Sequence, residues 1–254
     1  MSKAAQAVTD RRPSVVDQLE RWLEGKKFSV YLTANFSLAL LRHARERFGQ
    51  SMDSGLSYRL DYLRLKAMFA SMQTATFNDI FYFSSFRPQE GNSPPPEMKI
   101  LNLLEKNGFK VKLREMTLGE REGRVKKISP RFTVDLTTAV RERIASGDDA
   151  VVILDTNRDV GDLVESLATD NKRVVVGDIS GLKAFVPHEL GKHAHFKFDM
   201  SHVDLLDWLK LESRDEGEIQ RAYKRSEKPG SACPRNGNPV SQFPKCSALG
   251  TAEG

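Results

Sequence analysis

Residues 151–167 read VVILDTNRDVGDLVESL. An unbroken apolar run, Val151 to Leu154, ends abruptly in Asp155, Thr156, Asn157, Arg158 and Asp159, and apolar residues then recur at helical spacing. An uninterrupted apolar run of this length is the pattern of a strand covered on both faces, as in a parallel sheet. The turn after it is polar because the backbone leaves the core there. Strand, polar turn and helix together make half of a βαβ unit, and the rest of the chain repeats the alternation.

Working outward, residues 13–24 place Val15, Val16, Leu19, Trp22 and Leu23 on one helical face. KFSVYL (27–32) reads as a strand and residues 36–48 as a helix. SYRLDYLRLKAMFASM (57–72) reads as one further helix, and NDIFYFSSF (78–86) as an aromatic strand. RPQEGNSPPPE (87–97) is a loop, since its proline run joins neither a helix interior nor a central strand. A helix follows, stopped by Gly108, and then FKVKLREM (109–116), whose alternation of apolar and basic residues marks a half-exposed strand. TLGEREGRVKKISP (117–130) reads as a mobile segment. FTVDLTTAVRERIASG (132–147) is a helix stopped by Gly147, and RVVVGDI (173–179) a strand. LKAFVPHELGKH (182–193) is helix-like, HFKFDM (195–200) a short strand, and SHVDLLDWLKLE (201–212) a helix capped by Ser201. The expected fold is α/β: a Rossmannoid, mostly parallel sheet with helices on both faces. In such sheets ligands bind outside the carboxyl ends of the strands. That edge gathers the end of VYLTAN, the helix start bearing Asp135, and the DTNRD turn.

Of the 254 residues, 39% are hydrophobic and 29% charged, so polar, loosely folded ends are expected around a real core. The expected organisation is an N-terminal helical extension at 1–26, a central domain at 27–200, a C-terminal helical segment at 201–228 and a disordered tail at 229–254. No apolar run spans a bilayer and the first residues lack a signal-peptide shape, so the expectation is a cytoplasmic protein with no membrane partner. Cys233 and Cys246 both fall in the tail and read as free thiols. Net charge is +5, which permits a polyanionic partner. Between Lys106 and Lys127 there are eight Lys/Arg against three Glu, a local +5, although a solvated face explains most such runs.

Carboxylates at strand ends are suited to magnesium or manganese, which prefer hard oxygen ligands. Asp135, Asp155, Asn157, Asp159 and Asp162 are the candidates. Asp162 and Asp159 serve equally well as charges favouring a helix start. A calcium loop fails at its sixth and twelfth positions, Val160 and Ser166. The aspartate turn of a haloacid-dehalogenase phosphatase is a loose likeness only, and it belongs on an N-terminal strand. His188, His193, His195 and His202 read as ordinary surface or half-buried rings rather than a zinc site. Tyr31, Phe81, Tyr82 and Phe83 fit a core better than a base-stacking platform.

Over roughly residues 27–200 the chain resembles the NYN family, a branch of the PIN-like nuclease fold. SVYLTANFSLALL is similar to its opening V-F-I-D-G-x-N-L motif, with Asn35 at the Asn. YRLDYLRLKAMF is similar to the D-Y-x-x-L helix, IFYFSSF to the aromatic second strand, and LLEKNGFKVKLREM to the helix and strand after it. FTVDLTTAV places Asp135 at the central carboxylate. VVILDTNRDVGDLVESL resembles V-L-V-S-G-D-S-D-F-x-P-L-V, and KRVVVGDISGLKAFVPHEL with HFKFDM resembles the closing elements. The resemblance implies a magnesium- or manganese-dependent ribonuclease acting on single-stranded or structured RNA. Asp135, Asp155 and Asp159 would be metal ligands, and Asn35 and Asn157 would orient water or phosphate. Lys126, Lys127, Arg131 and Arg158 would contact the RNA backbone. The departures fall on the cluster itself: Leu32 or Thr33 stands where the first-strand acid belongs, and G-D-S-D reads Thr156, Asn157, Arg158, Asp159. The alternative is therefore a PIN-like module that lost the chemistry and binds RNA or protein, with Arg158 paired to Asp155 or Asp159. Helices at 13–24 and 201–211 read either as packing on the domain edge or as serving a partner, including a second copy.

Overall fold

The computed structural model describes residues 14–47, 56–86, 97–121, 124–128, 132–179, 188–200 and 209–213. In chain order the elements are α1 (Val15–Leu23), β1 (Lys27–Thr33), α2 (Ala34–Arg47), β2 (Leu56–Leu60), α3 (Tyr62–Ala70) and β3 (Thr76–Phe86). Then come α4 (Glu97–Lys106), β4 (Phe109–Glu115), β5 (Thr117–Arg121), β6 (Arg124–Ile128), α5 (Thr133–Ala145) and β7 (Ala150–Leu154). A 3-10 turn at Arg158–Val160 leads into α6 (Gly161–Thr169), followed by β8 (Arg173–Asp178), α7 (His188–Lys192), β9 (Phe196–Asp199) and β10 (Leu209–Ser213).

Six strands form one sheet in the order β4-β3-β1-β7-β8-β9, and every neighbouring pair is parallel. The chain steps outward from β1 through β3 to β4, then returns to place β7 on the other side of β1. The order thus reverses between β1 and β7, and the carboxyl ends of these two strands flank the switch-point crevice of a doubly wound sheet. All five residues of β7 are buried, which is why its sequence is apolar without alternation.

Alternation on the other strands sorts the core into two layers. On one face Phe28, Val30 and Leu32 of β1 pack with Leu19 and Leu23 of α1, Phe36 and Leu40 of α2, Leu65 and Phe69 of α3, and Leu101 and Leu104 of α4. On the other face Tyr31, Phe81, Phe83, Val151 and Ile153 meet Leu136 and Val140 of α5, Val164 and Leu167 of α6, and Leu190 of α7. Gly177 of β8 permits close packing at the first face: a β-carbon there would sit 2.5 Å from Leu154 Cδ2 and 2.8 Å from Phe36 Cζ. Gly147, read as a helix stop, takes φ +103° after α5.

Three local readings change. The segment 57–72 is not one helix: Leu56–Leu60 is a strand, and α3 begins after Asp61, whose carboxylate accepts the Arg64 N–H at 3.1 Å as a cap. The end of SHVDLLDWLKLE is not helical either, because β10 pairs antiparallel with β2, Leu209 opposite Leu60. Its first residues, 201–208, lie outside those described. Long-range pairing overrides helical periodicity at both places. The segment read as mobile contains β5 and β6, an antiparallel pair with Thr117 opposite Ile128 and Arg121 opposite Arg124. The N-terminal helix packs on the domain edge, one of the two readings given for it, with its apolar stripe turned inward. Leu19 and Leu23 are fully buried, Glu20 accepts the backbone N–H groups of Gln73 (2.6 Å) and Thr74 (3.0 Å), and Trp22 stacks on Phe196 at 5.8 Å. Among the described residues no helix is long and apolar enough to cross a membrane. The proline loop, the residues from 214 onward with both cysteines, and the first 13 lie outside the described residues.

At the amino end of the sheet Asp148 is wholly buried. Its carboxylate accepts from Ser29 Oγ at 2.6 Å, Asn78 Nδ2 at 2.6 Å and Arg143 Nη2 at 3.0 Å, while Arg143 also reaches Asp79 at 3.2 Å. One residue thus joins the end of α5 to β1 and β3. Removing a single partner of such a group strands the others, at a cost of about 3–5 kcal/mol. Asp148→Ala is expected to lower unfolding stability in urea by about 3 kcal/mol, and Ser29→Ala by about half of that. A loss below about 1 kcal/mol for Asp148→Ala would refute this role for the network.

Candidate functional site at the β1/β7 crevice

Parallel register puts Leu32 beside Leu154, so the next residues out, Thr33 and Asp155, meet at the crevice. The Thr33 hydroxyl donates to Asp155 Oδ1 at 2.8 Å. The Leu154 carbonyl lies farther off, at 3.4 Å, and the one hydroxyl proton serves the nearer carboxyl oxygen. Thr33 Oγ1 also accepts the Phe36 N–H at 3.3 Å, which caps the start of α2. Asp155 Oδ1 accepts the Thr156 N–H at 2.7 Å, and the carboxylate accepts from the Asn157 backbone as well. This side chain is 3% exposed. Burial pushes its pKa above the usual carboxylate range, and the Thr33 hydroxyl and the Thr156 and Asn157 amides offset only part of that.

Asn157 is used at both ends of its amide. Its Oδ1 accepts the Asp159 N–H at 3.2 Å, and its Nδ2 donates to Thr133 Oγ1 at 2.9 Å, fixing the turn against the first residue of α5. Two residues on, Asp135 receives both arms of Arg114 from β4, Nε at 2.5 Å and Nη2 at 2.9 Å. The two side chains are 43% and 28% exposed. The pairing holds Arg114 even more firmly protonated than usual, through the hydrogen bond first and charge second. Arg158 is 78% exposed, with Nε 4.0 Å from Asp159 Oδ1. Asn35 and Asp162 are exposed in the first turns of α2 and α6.

The crevice therefore unites Thr33 with Asp155 and Asn157 with Thr133. Asp135, Asp155 and Asp159 are not drawn into one cluster. Among the described residues no group of three or more His, Cys, Asp or Glu stands ready to hold a metal ion. Of these carboxylates, that of Asp135 is covered by the Arg114 guanidinium, and that of Asp155 is turned inward onto a hydroxyl and two amides. Of the RNA-facing candidates, Lys126 and Lys127 lie on β6, where the backbone alone is described, and Arg131 lies outside the described residues. His195 Nδ1 accepts the Val174 N–H at 3.2 Å and His193 Nε2 lies 3.7 Å from Glu165 Oε1, while the side chains of His188 and His202 lie outside those described. Tyr31, Phe81, Tyr82 and Phe83 are core residues, as their strand positions imply.

Two residues of the site are not singled out by the sequence. Thr33 stands there only in place of a carboxylate, although a hydroxyl at the end of β1 is within reach of an acid at the end of β7 wherever those strands are neighbours. Arg114 is one basic residue of an alternating strand, and its partner, 21 positions later in sequence, follows only from the packing of α5.

No family model matches the chain, and no curated protein matches it. Among solved structures, the U34-tRNA thiolase NcsA from Methanococcus maripaludis with its 4Fe-4S cluster matches at 13% identity, over 90% of this chain and 68% of that one, with a TM-score of 0.25. A likeness of that size carries no argument about fold or chemistry.

The raised pKa of Asp155 has a signed consequence for stability. The folded state holds the proton more tightly than the unfolded chain, where a carboxyl titrates near ~3.9. Its contribution is complete below that value and is lost as pH rises through the higher native value. Asp155→Asn keeps an oxygen for Thr33 and Thr156 and removes the titration. The melting temperature of Asp155→Asn, taken relative to wild type, is expected to climb between about pH 4 and pH 7. A flat or falling difference would contradict the assignment.

Proposed function

We propose that this chain is a PIN-like domain that holds single-stranded RNA by its phosphates and does not hydrolyse it. The observation that carries the reading is the way the strand-end acids are compensated. Asp135 is matched by Arg114, Asp159 lies beside Arg158, and Asp155 is folded inward onto Thr33. A metal-dependent ribonuclease needs those oxygens open to a cation that orients water and offsets phosphodiester charge. Here arginines stand in that place, and a guanidinium matches phosphate geometry directly.

The order of motifs from SVYLTAN to HFKFDM supports the family part of the proposal, and the net charge of +5 supports a polyanionic ligand. Contacts of arginine and lysine with phosphate position a strand without reading its bases. The competing reading, a magnesium- or manganese-dependent ribonuclease, requires Asp155 to leave Thr33 and Asp135 to exchange Arg114 for an ion.

The test is labelled single-stranded RNA incubated with the full chain in manganese, magnesium or EDTA, beside an Asp135→Asn/Asp159→Asn double variant. The expected outcome is intact RNA in all three, salt-sensitive binding by wild type, and binding by the double variant that is equal or several-fold tighter, because Arg114 is released and two negative charges are gone. Metal-dependent cleavage that the double variant loses would overturn the proposal in favour of the ribonuclease. Absence of both cleavage and binding would overturn it in favour of a protein partner.

A further inference from the structure

The strand β4 closes one end of the six-stranded sheet, so nothing in that sheet pairs with its outer side. Its alternation sends Phe109, Val111 and Leu113 to the face packed by α3 and α4. Lys110, Lys112 and Arg114 point to the opposite face, in register with Phe81, Phe83 and Ser85 of β3. All three cations are exposed. Lys110 is 2.8 Å from Asp79 and lies 5.3 Å from the centre of the Phe81 ring. Arg114 holds Asp135. Lys112, between them, has no acid within reach among the described residues.

We infer that this face of β4 is the track for the sugar-phosphate backbone of a bound single strand, with Lys112 at its centre. The inference rests on the RNA-binding reading above and extends it from Arg114, beside the crevice, along β4. Three physical features carry it. The first is spacing: alternate residues on a strand stand about 6.6 Å apart, a step that matches successive phosphates of an extended polynucleotide. The second is exchangeability. Lys110 and Arg114 are 49% and 43% exposed, so both cations are open to solvent, and the single-contact Lys110–Asp79 pair is of the weak surface kind that a phosphate can replace. The third is continuity. The chain passes from Glu115 through Met116 into the β5–β6 hairpin, whose sequence from Thr117 to Ile128 has Arg121, Arg124, Lys126 and Lys127 against Glu120 and Glu122. The acids beside the row are Asp79, Asp135 and Glu115, each next to one of the flanking cations or, for Glu115, at the strand's end. The aromatic rings beneath the row are buried, so the track recognises phosphate and is indifferent to base identity.

The experiment uses the full chain with a fluorescent oligo(U) strand, titrated at several salt concentrations. Three proteins are compared: wild type, Lys112→Glu, and Lys99→Glu, which makes the same charge change on the opposite face, where Lys99 is exposed on α4. Lys112→Glu is expected to weaken binding by about tenfold and to flatten the slope of log affinity against log salt by about 0.7, the loss of one phosphate contact to a single strand. Lys99→Glu is expected to bind within about twofold of wild type. Circular dichroism melts confirm that both variants fold, since each change is at an exposed position. Equal binding by Lys112→Glu and wild type, or an equal loss with Lys99→Glu, would overturn the track while leaving RNA binding in place. Failure of wild type to bind oligo(U) at all would overturn the RNA-binding reading itself, and the track with it.

Discussion

At the carboxyl edge of the sheet, the hydroxyl of Thr33 reaches across from β1 to the carboxyl of Asp155 after β7. These are the two strands between which the order of the sheet reverses, so this hydrogen bond closes the floor of the crevice where a doubly wound fold presents its ligand site. The same hydroxyl oxygen caps α2 through the Phe36 N–H, and the same carboxyl gathers the amides of Thr156 and Asn157. With the turn held in this way, Asn157 is directed to Thr133 at the start of α5. The cost is a buried carboxyl with few surrounding charges, which answers by holding its proton more tightly.

Helix α5 is clamped at both ends by arginine–aspartate pairs of opposite character. At its start the helix supplies the acid, Asp135, to Arg114 of β4; near its end it supplies the base, Arg143, to Asp148 and Asp79. The first pair is bidentate and open to water, its side chains 43% and 28% exposed. The second is anchored on a wholly buried carboxylate and holds the fold. The two ends of the sheet thereby divide the work. The amino end is a closed polar network, and the carboxyl end carries charge open to water.

The parallel sheet was legible because its cues are local and strong. The apolar run 150–154, the alternation of 109–114 and the glycine after α5 each specify backbone by themselves. Asp155 follows the last residue of β7, and Asp135 and Asp162 fall in the first turns of α5 and α6, positions that follow from the periodicity around them. What they touch did not follow. Period-two geometry left Asp155 free to face the crevice or the floor, and the presence of a hydroxyl at Thr33 with two amides behind it decided for the floor. The pairing of Leu56–Leu60 with Leu209–Ser213 was illegible for the same reason, because it joins segments about 150 positions apart and overrides a helical pattern in each.

The account stands or falls on whether the strand-end carboxyls are engaged within the protein rather than open to a cation. The most direct measurement is carbon-13 NMR of the aspartate side-chain carboxyls, titrated with pH and then with manganese at neutral pH. The account predicts that Asp155 titrates above ordinary aspartates and that manganese broadens the Asp135 and Asp155 signals no more than those of exposed surface acids. Selective broadening of Asp135, Asp155 and Asp159 together at low manganese, with Asp155 titrating in the ordinary range, would contradict it.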